Sequence, residues 1–107
     1  MGVQLASNEK KIELRLYVAG NAPNSVHALA NLKAILDTRA SSNGDHQEVD
    51  HLPVVHLDVV DVLEEPLRAL DDGVFVTPTL VVLSPTSARI IGSLNEREKV
   101  ARLLGLE

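Results

Sequence analysis

Thr77-Pro78-Thr79-Leu80-Val81-Val82-Leu83-Ser84-Pro85-Thr86-Ser87-Ala88-Arg89-Ile90-Ile91-Gly92 is the stretch whose reading decides the fold. Its first part, Thr79–Leu83, is a continuous apolar run rich in β-branched residues, which suits a central strand buried on both faces. Ser84–Ser87 is turn chemistry, and Ala88–Gly92 returns as a second strand, so the two strands form an antiparallel hairpin. Thr77-Pro78 leads into the run; an X–Pro bond makes the cis form accessible at about 0.5–1 kcal/mol. The pair reads first as a turn that starts the strand and second as part of a docking edge, because backbone there can pair with a partner segment.

Working toward the N-terminus, Leu63–Leu70 has helical spacing and is closed by Gly73, with Pro66 tolerated in the first turn. Val54–Asp61 is a strand. Residues 40–52 are polar, contain Gly44, and read as a long mobile loop. Val26, Leu29, Leu32, Ile35 and Leu36 recur at helical spacing, so a helix is expected over about residues 24–38, with Asn24 or Ser25 as its N-cap. Ile12-Glu13-Leu14-Arg15-Leu16-Tyr17-Val18 alternates strictly, which predicts a strand burying one face, made of Ile12, Leu14, Leu16 and Val18. Residues 1–10 read as a disordered lead-in to a single domain over 11–107. Toward the C-terminus, Asn95 with Glu98 forms a capping-box-like pair ahead of a helix whose stripe is Val100, Leu103 and Leu104.

The predicted order is strand–helix–strand–helix–strand–strand–helix. A parallel pair joined by the first helix, then an antiparallel hairpin, gives a mixed four-stranded sheet with helices on both faces. That is the thioredoxin-like arrangement, of class α/β.

Composition narrows the chemistry. The 107 residues contain no cysteine, which removes disulfides, thiolate metal sites and any thiol redox cycle. The position where a thioredoxin-like enzyme would carry its thiols holds Ala22-Pro23-Asn24-Ser25 instead. Ser25 has no base beside it in sequence and reads as a helix-capping residue, not a nucleophile. A net charge of −5 argues against nucleic acid as a partner. No apolar run is long enough to span a bilayer and no secretory pattern opens the chain, so a cytoplasmic protein is expected. No P-loop pattern is present. Of the four histidines, His46 and His51 lie in the predicted loop beside Asp45, Glu48 and Asp50, where a solvated loop is favoured over a metal site. His27 is placed on the exposed face of the first helix, and His56 half-exposed on its strand. No cofactor, metal site or catalytic residue is expected. The charge is uneven: residues 45–72 carry nine acids, Asp45, Glu48, Asp50, Asp58, Asp61, Glu64, Glu65, Asp71 and Asp72, with Arg68 alone, whereas residues 89–102 carry Arg89, Arg97, Lys99 and Arg102 against Glu96 and Glu98. Such asymmetry can steer a protein partner.

Four ordered segments resemble the KaiB family of circadian-clock proteins: Leu16-Tyr17-Val18-Ala19-Gly20-Asn21-Ala22-Pro23-Asn24-Ser25, Asp61-Val62-Leu63 with Pro66, Thr77-Pro78-Thr79-Leu80, and Arg89-Ile90-Ile91-Gly92-Ser93-Leu94 with Arg97-Glu98-Lys99-Val100. The resemblance spans about residues 12–104. It implies a non-catalytic module that binds a KaiC-like ATPase and helps to sequester a KaiA-like protein. It also implies two folds: a tetrameric ground state of order βαββααβ and a thioredoxin-like monomer that binds the ATPase. Pro66, Pro78 and Pro85 match family prolines in the half that rearranges. Gly92-Ser93 stands where the family has Gly-Asp, the predicted loop at 40–52 is longer than usual, and the family's acidic tail has no counterpart before Glu107. Ser93 and the shortened end are therefore expected to favour the thioredoxin-like state, as a monomer or small homo-oligomer. The expected docking residues are Gly20, Asn21, Pro23, Asn24, Asp58, Asp61, Glu64 and Glu65; Pro66, Pro78, Pro85, Gly92 and Ser93 are the candidates for a fold switch or a cis proline. The alternative reading is a KaiB-like sensor or adaptor serving a histidine kinase or a stress response without a clock.

Overall fold

A computed structural model describes residues 11–39 and 54–106. The predicted lead-in at 1–10 and the predicted loop at 40–52, with His46 and His51, lie outside the described residues. The elements are β1 (Lys11–Val18), α1 (Pro23–Arg39), β2 (Val54–Asp61), α2 (Pro66–Asp71), β3 (Thr79–Ser84), β4 (Ala88–Ile91) and α3 (Arg97–Leu103). They form one sheet of order β2-β1-β3-β4, with β1 parallel to β2 and antiparallel to β3, and β3 antiparallel to β4. This is the βαβαββα order and mixed thioredoxin-like sheet expected from the periodicities, not the βαββααβ arrangement.

One face of the sheet carries the larger core. Ile12, Leu14, Leu16 and Val18 of β1 and Leu80 and Val82 of β3 meet Ala28, Leu32 and Ile35 of α1 and Val100, Ala101 and Leu104 at α3. The face α1 presents is set by Ser25, Ala28, Asn31, Leu32 and Ile35, all buried, spaced three or four residues apart. Val26, expected in that stripe, falls one position to the side and is 48% exposed. On α3 the buried residues are Val100, Ala101 and Leu104, and Leu103, expected inside, faces out.

The other face carries a smaller cluster: Tyr17, Val60, Ala69, Val74 and Val81. The strict alternation of β1 predicts one buried face, yet Tyr17 is 0% exposed. The physical reason is topological. β1 lies between β2 and β3, so helices cover it on both sides, and Tyr17 becomes the centre of the second cluster. β3 keeps both faces buried through Val82, but Leu83 is 43% exposed. It shares a face with Val81 and lies beyond the reach of α2, which has only six residues.

Helix starts also differ from expectation. α2 begins at Pro66, not Leu63, because proline lacks the amide hydrogen a helix interior requires and suits the first helical position. Residues before it turn on Asp61, whose Oδ1 accepts from the Leu63 amide at 3.0 Å. α3 starts at Arg97 with Glu96 at its N-cap and no side-chain cap. Asn95 does not cap it, because its Oδ1 accepts from Asn31 Nδ2 at 3.1 Å.

Candidate interaction surface

The segment joining β1 to α1 is tied down at both ends. The Ala19 amide donates to Ser25 Oγ at 3.0 Å, so Ser25 secures the end of the strand; α1 already begins at Pro23, which leaves neither Asn24 nor Ser25 as its N-cap. The Gly20 amide donates to Asp61 Oδ1 at 3.1 Å, and the Val62 amide to the Val18 carbonyl at 2.8 Å. Gly20 has φ +52, where L side chains are disfavoured, and a Cβ there would approach Leu63 Cδ1 to 3.2 Å. Glycine is therefore required on two counts. The result is a hydrogen-bonded loop with Asn21, Pro23 and Asn24 exposed. Beside it lies a shallow cleft of about 340 Å³, lined by Val18, Gly20, Asn21, Val26, Leu29 and Lys33 among others.

The acidic residues divide into two groups. Asp61 holds the loop and turn just described. Asp58 pairs with Arg68, which also pairs with Glu65 at 3.2 Å, and Arg15 Nε lies 3.6 Å from Asp58. Glu64 is exposed and its carboxylate has no partner among the described residues. The structure thus brings Gly20 and Asp61 together, and Asp58 and Glu65 together through Arg68. It leaves only Glu64 of the predicted acids unpaired.

Under α2, a polar network that the sequence reading missed anchors the helix to the sheet. Asp72 Oδ2 accepts from Arg15 Nη1 at 2.9 Å and from the Tyr17 hydroxyl, which also lies 3.1 Å from the Arg68 carbonyl oxygen. Arg89 donates to the carbonyls of Asp72 and Gly73. The Tyr17 hydrogen bond, followed by that from Arg15, holds the Asp72 carboxyl below its ordinary range, against an opposing effect of burial. Burial first, then the Asp72 carboxylate, pushes the Tyr17 hydroxyl upward. The hydrogen bond to Asp72 raises Arg15, and that to Asp58 raises Arg68. Arg15, Tyr17 and Asp72 thus form a structural tie, in which Arg15 Nε is left without a hydrogen-bond partner among the described residues.

A second missed residue is Asn31. Buried on α1, it donates to the Ser93 carbonyl at 2.7 Å, and its Oδ1 accepts from Arg97 Nε at 3.0 Å and Nη2 at 2.8 Å. It joins α1 to the segment leading into α3. Its spacing from Ala28 and Ile35 was the available signal, a polar side chain on the buried stripe.

The proline and glycine candidates are scattered over the second half. Pro66 is exposed at the start of α2, Pro78 is buried before β3, and Pro85 is exposed in the β3–β4 turn. The Thr77–Pro78 and Ser84–Pro85 bonds are cis. Gly92 has φ +116 with open space around it, and Ser93 follows with its carbonyl bound by Asn31. His27 and His56 are both exposed, the latter more fully than expected. Among the described residues no group of three or more His, Asp or Glu side chains can hold a metal ion, and no helix is long and apolar enough to cross a membrane.

A KaiB domain model matches residues 15–106, which takes in the β1–α1 loop, the Asp61 turn and both helices that follow. The chain belongs to the KaiB family. It is 47% identical over 100 residues to the circadian clock oscillator protein KaiB of Picosynechococcus sp., covering 92% of this chain and 84% of that protein. Against the KaiB of Synechococcus elongatus it is 46% identical over 102 residues, covering 94% and 87%. Among solved structures it is similar to the N-terminal domain of Synechococcus elongatus SasA, with TM-score 0.69 and 22% identity over 100% of this chain and 93% of that one. It is also similar to the thioredoxin Deadhead of Drosophila melanogaster, with TM-score 0.63 and 14% identity over 94% and 85%. At these identities the two structures speak to the thioredoxin-like fold. The KaiB relatives tie the chain to circadian-clock proteins, and with them to a clock-related protein-interaction role.

Proposed function

We propose that this protein is a non-catalytic clock or signalling component that binds a KaiC-like ATPase through the β1–α1 loop and the turn after β2. The observation that carries the reading is the bond from the Gly20 amide to Asp61. It fixes Asn21, Pro23 and Asn24 as a preformed exposed ridge beside a shallow cleft. A preformed ridge loses little conformational freedom on binding, which favours affinity. Asp61 acts from beneath it as a positioning residue, and Glu64 adds charge at its border. The same reading takes the thioredoxin-like state as the binding-competent one. Pro66, Pro78, Pro85, Gly92 and Ser93 lie in the half that would rearrange in a second fold.

The test is co-elution of the purified chain with a KaiC-type ATPase from the same organism. Co-elution that is weakened about tenfold by Asn21→Ala with Asn24→Ala supports the reading; an effect of that size corresponds to about 1.4 kcal/mol. Absence of any complex, with NMR showing the thioredoxin-like secondary structure over residues 54–104, contradicts it.

A further inference from the structure

The second sheet face carries a surface that meets the loop ridge at Leu63 and Glu64 and extends beyond it along α2. α2 buries only Ala69, and its leucines point outward. Leu67 is 71% exposed and Leu70 is also exposed, three residues apart on one side of the helix, while the equally exposed Leu63 precedes the helix in the turn after β2. The chain then folds back at once: the Gly73 amide donates to the Leu70 carbonyl and the Val74 amide to the Ala69 carbonyl, at 3.0 and 2.8 Å. Val74 is drawn inward, and Phe75 is left beside the last turn of α2 at 80% exposure, followed by exposed Val76. Phe75 is one of only two aromatic residues in the chain. Three leucines, a phenylalanine and a valine left exposed within fourteen residues of chain are a feature of docking surfaces.

The charges around the stripe select the partner. Glu64 adjoins Leu63, and Asp71 adjoins Leu70 and lies one helical turn from Leu67; neither carboxylate has a partner among the described residues. The cations nearby are occupied: Arg68 by Asp58 and Glu65, and Arg89 by the carbonyls of Asp72 and Gly73. The rim is therefore acidic. It repels anionic lipid and nucleic acid and attracts lysine or arginine flanking an apolar segment.

We infer that the α2 face, Leu63, Leu67, Leu70 and Phe75 bordered by Glu64 and Asp71, docks an amphipathic segment of a partner protein whose apolar stripe is flanked by basic residues. This rests on the interaction-module reading only in taking the occupant to be a protein. Such a segment would lay its stripe along the leucines, as helix-in-groove partners do, and place its cations against the two free carboxylates.

The experiment uses the full chain with a synthetic amphipathic peptide bearing a leucine stripe flanked by lysines, and a counterpart with glutamate at every lysine. Binding is followed by fluorescence anisotropy and mapped by amide chemical shifts. The lysine peptide is expected to bind about tenfold more tightly than the glutamate peptide at low salt, with shifts centred on residues 63–76. The difference should shrink as ionic strength rises from about 0.05 M to about 0.5 M, where the Debye length falls to a few ångströms. Glu64→Lys with Asp71→Lys should reverse the preference, and Leu67→Ser with Phe75→Ser should weaken both peptides while leaving the fold intact. Equal binding of the two peptides, no binding of the lysine peptide, shifts that map elsewhere, or preferential binding to anionic vesicles overturns the inference. None of these outcomes involves the ATPase, and Leu67→Ser with Phe75→Ser lies outside the loop and turn of the proposed function, so that variant separates loss of this surface from loss of that function.

Discussion

The two faces of the sheet are built differently. On the α1/α3 face, two helices cover β1 and β3 with aliphatic side chains, and thirteen residues form a buried cluster. On the α2 face a six-residue helix contributes Ala69 to a cluster of five buried residues, leaves Leu83 in the open, and turns its own leucines to solvent. The first face is held by shape and apolar area. The second is held by a tyrosine, a carboxylate and two arginines, which fix the position of α2 without asking it to bury its apolar side. A helix fastened by polar contacts beneath it remains free to offer an apolar stripe above.

The comparison predicts a hierarchy of effects. Leu32→Ala, in the thick face, should cost about 2–5 kcal/mol in urea unfolding, as truncation of a fully buried leucine leaves a cavity. A cost below that range would mean that this face is looser than its packing indicates. Tyr17→Phe keeps the ring and removes the hydroxyl; the lost bond to Asp72 should cost about 1–3 kcal/mol by the same measurement. If the variant is as stable as the parent, the polar tie does not hold α2.

The tie also makes the thin face sensitive to acid. The folded Asp72 carboxyl lies below its unfolded value, so its contribution to stability is complete above the unfolded pKa of about 3.9 and is lost as pH falls through the folded value. Asp72→Asn should flatten the acid limb of stability plotted against pH between about 5 and 2; an unchanged limb would place the acid sensitivity elsewhere. The smallest effect is expected at Leu67→Ser. The side chain is already exposed, so stability should stay within about 0.5 kcal/mol of the parent while peptide docking weakens.

The strands and their order were legible because apolar periodicity reports directly on which residues must leave water. Ile12, Leu14, Leu16 and Val18 declared β1, and Thr79–Leu83 declared the strand beside it. What periodicity cannot report is how many layers cover a strand. Tyr17 reads as a surface position until β1 is known to lie inside the sheet, and Leu83 reads as buried until α2 is known to be short. The candidate loop was legible through Gly20 and the asparagines and proline that follow. The roles within it were not: Ser25 secures the strand end, Asn95 binds Asn31 and leaves α3 uncapped, and Asp58, Asp61 and Glu65 act within the molecule. A count of carboxylates gives the net charge of a region but not which of them are free, because pairing depends on side chains distant in sequence.

The most direct test of the division between the two faces is amide hydrogen exchange on the chain alone and bound to a KaiC-type ATPase. The account predicts that binding slows exchange in the β1–α1 loop and across the turn at residues 61–65, while α3 and the buried stripe of α1 exchange as they did before. Slowing confined to α3 and the middle of α1, with the loop and the turn unchanged, would contradict it.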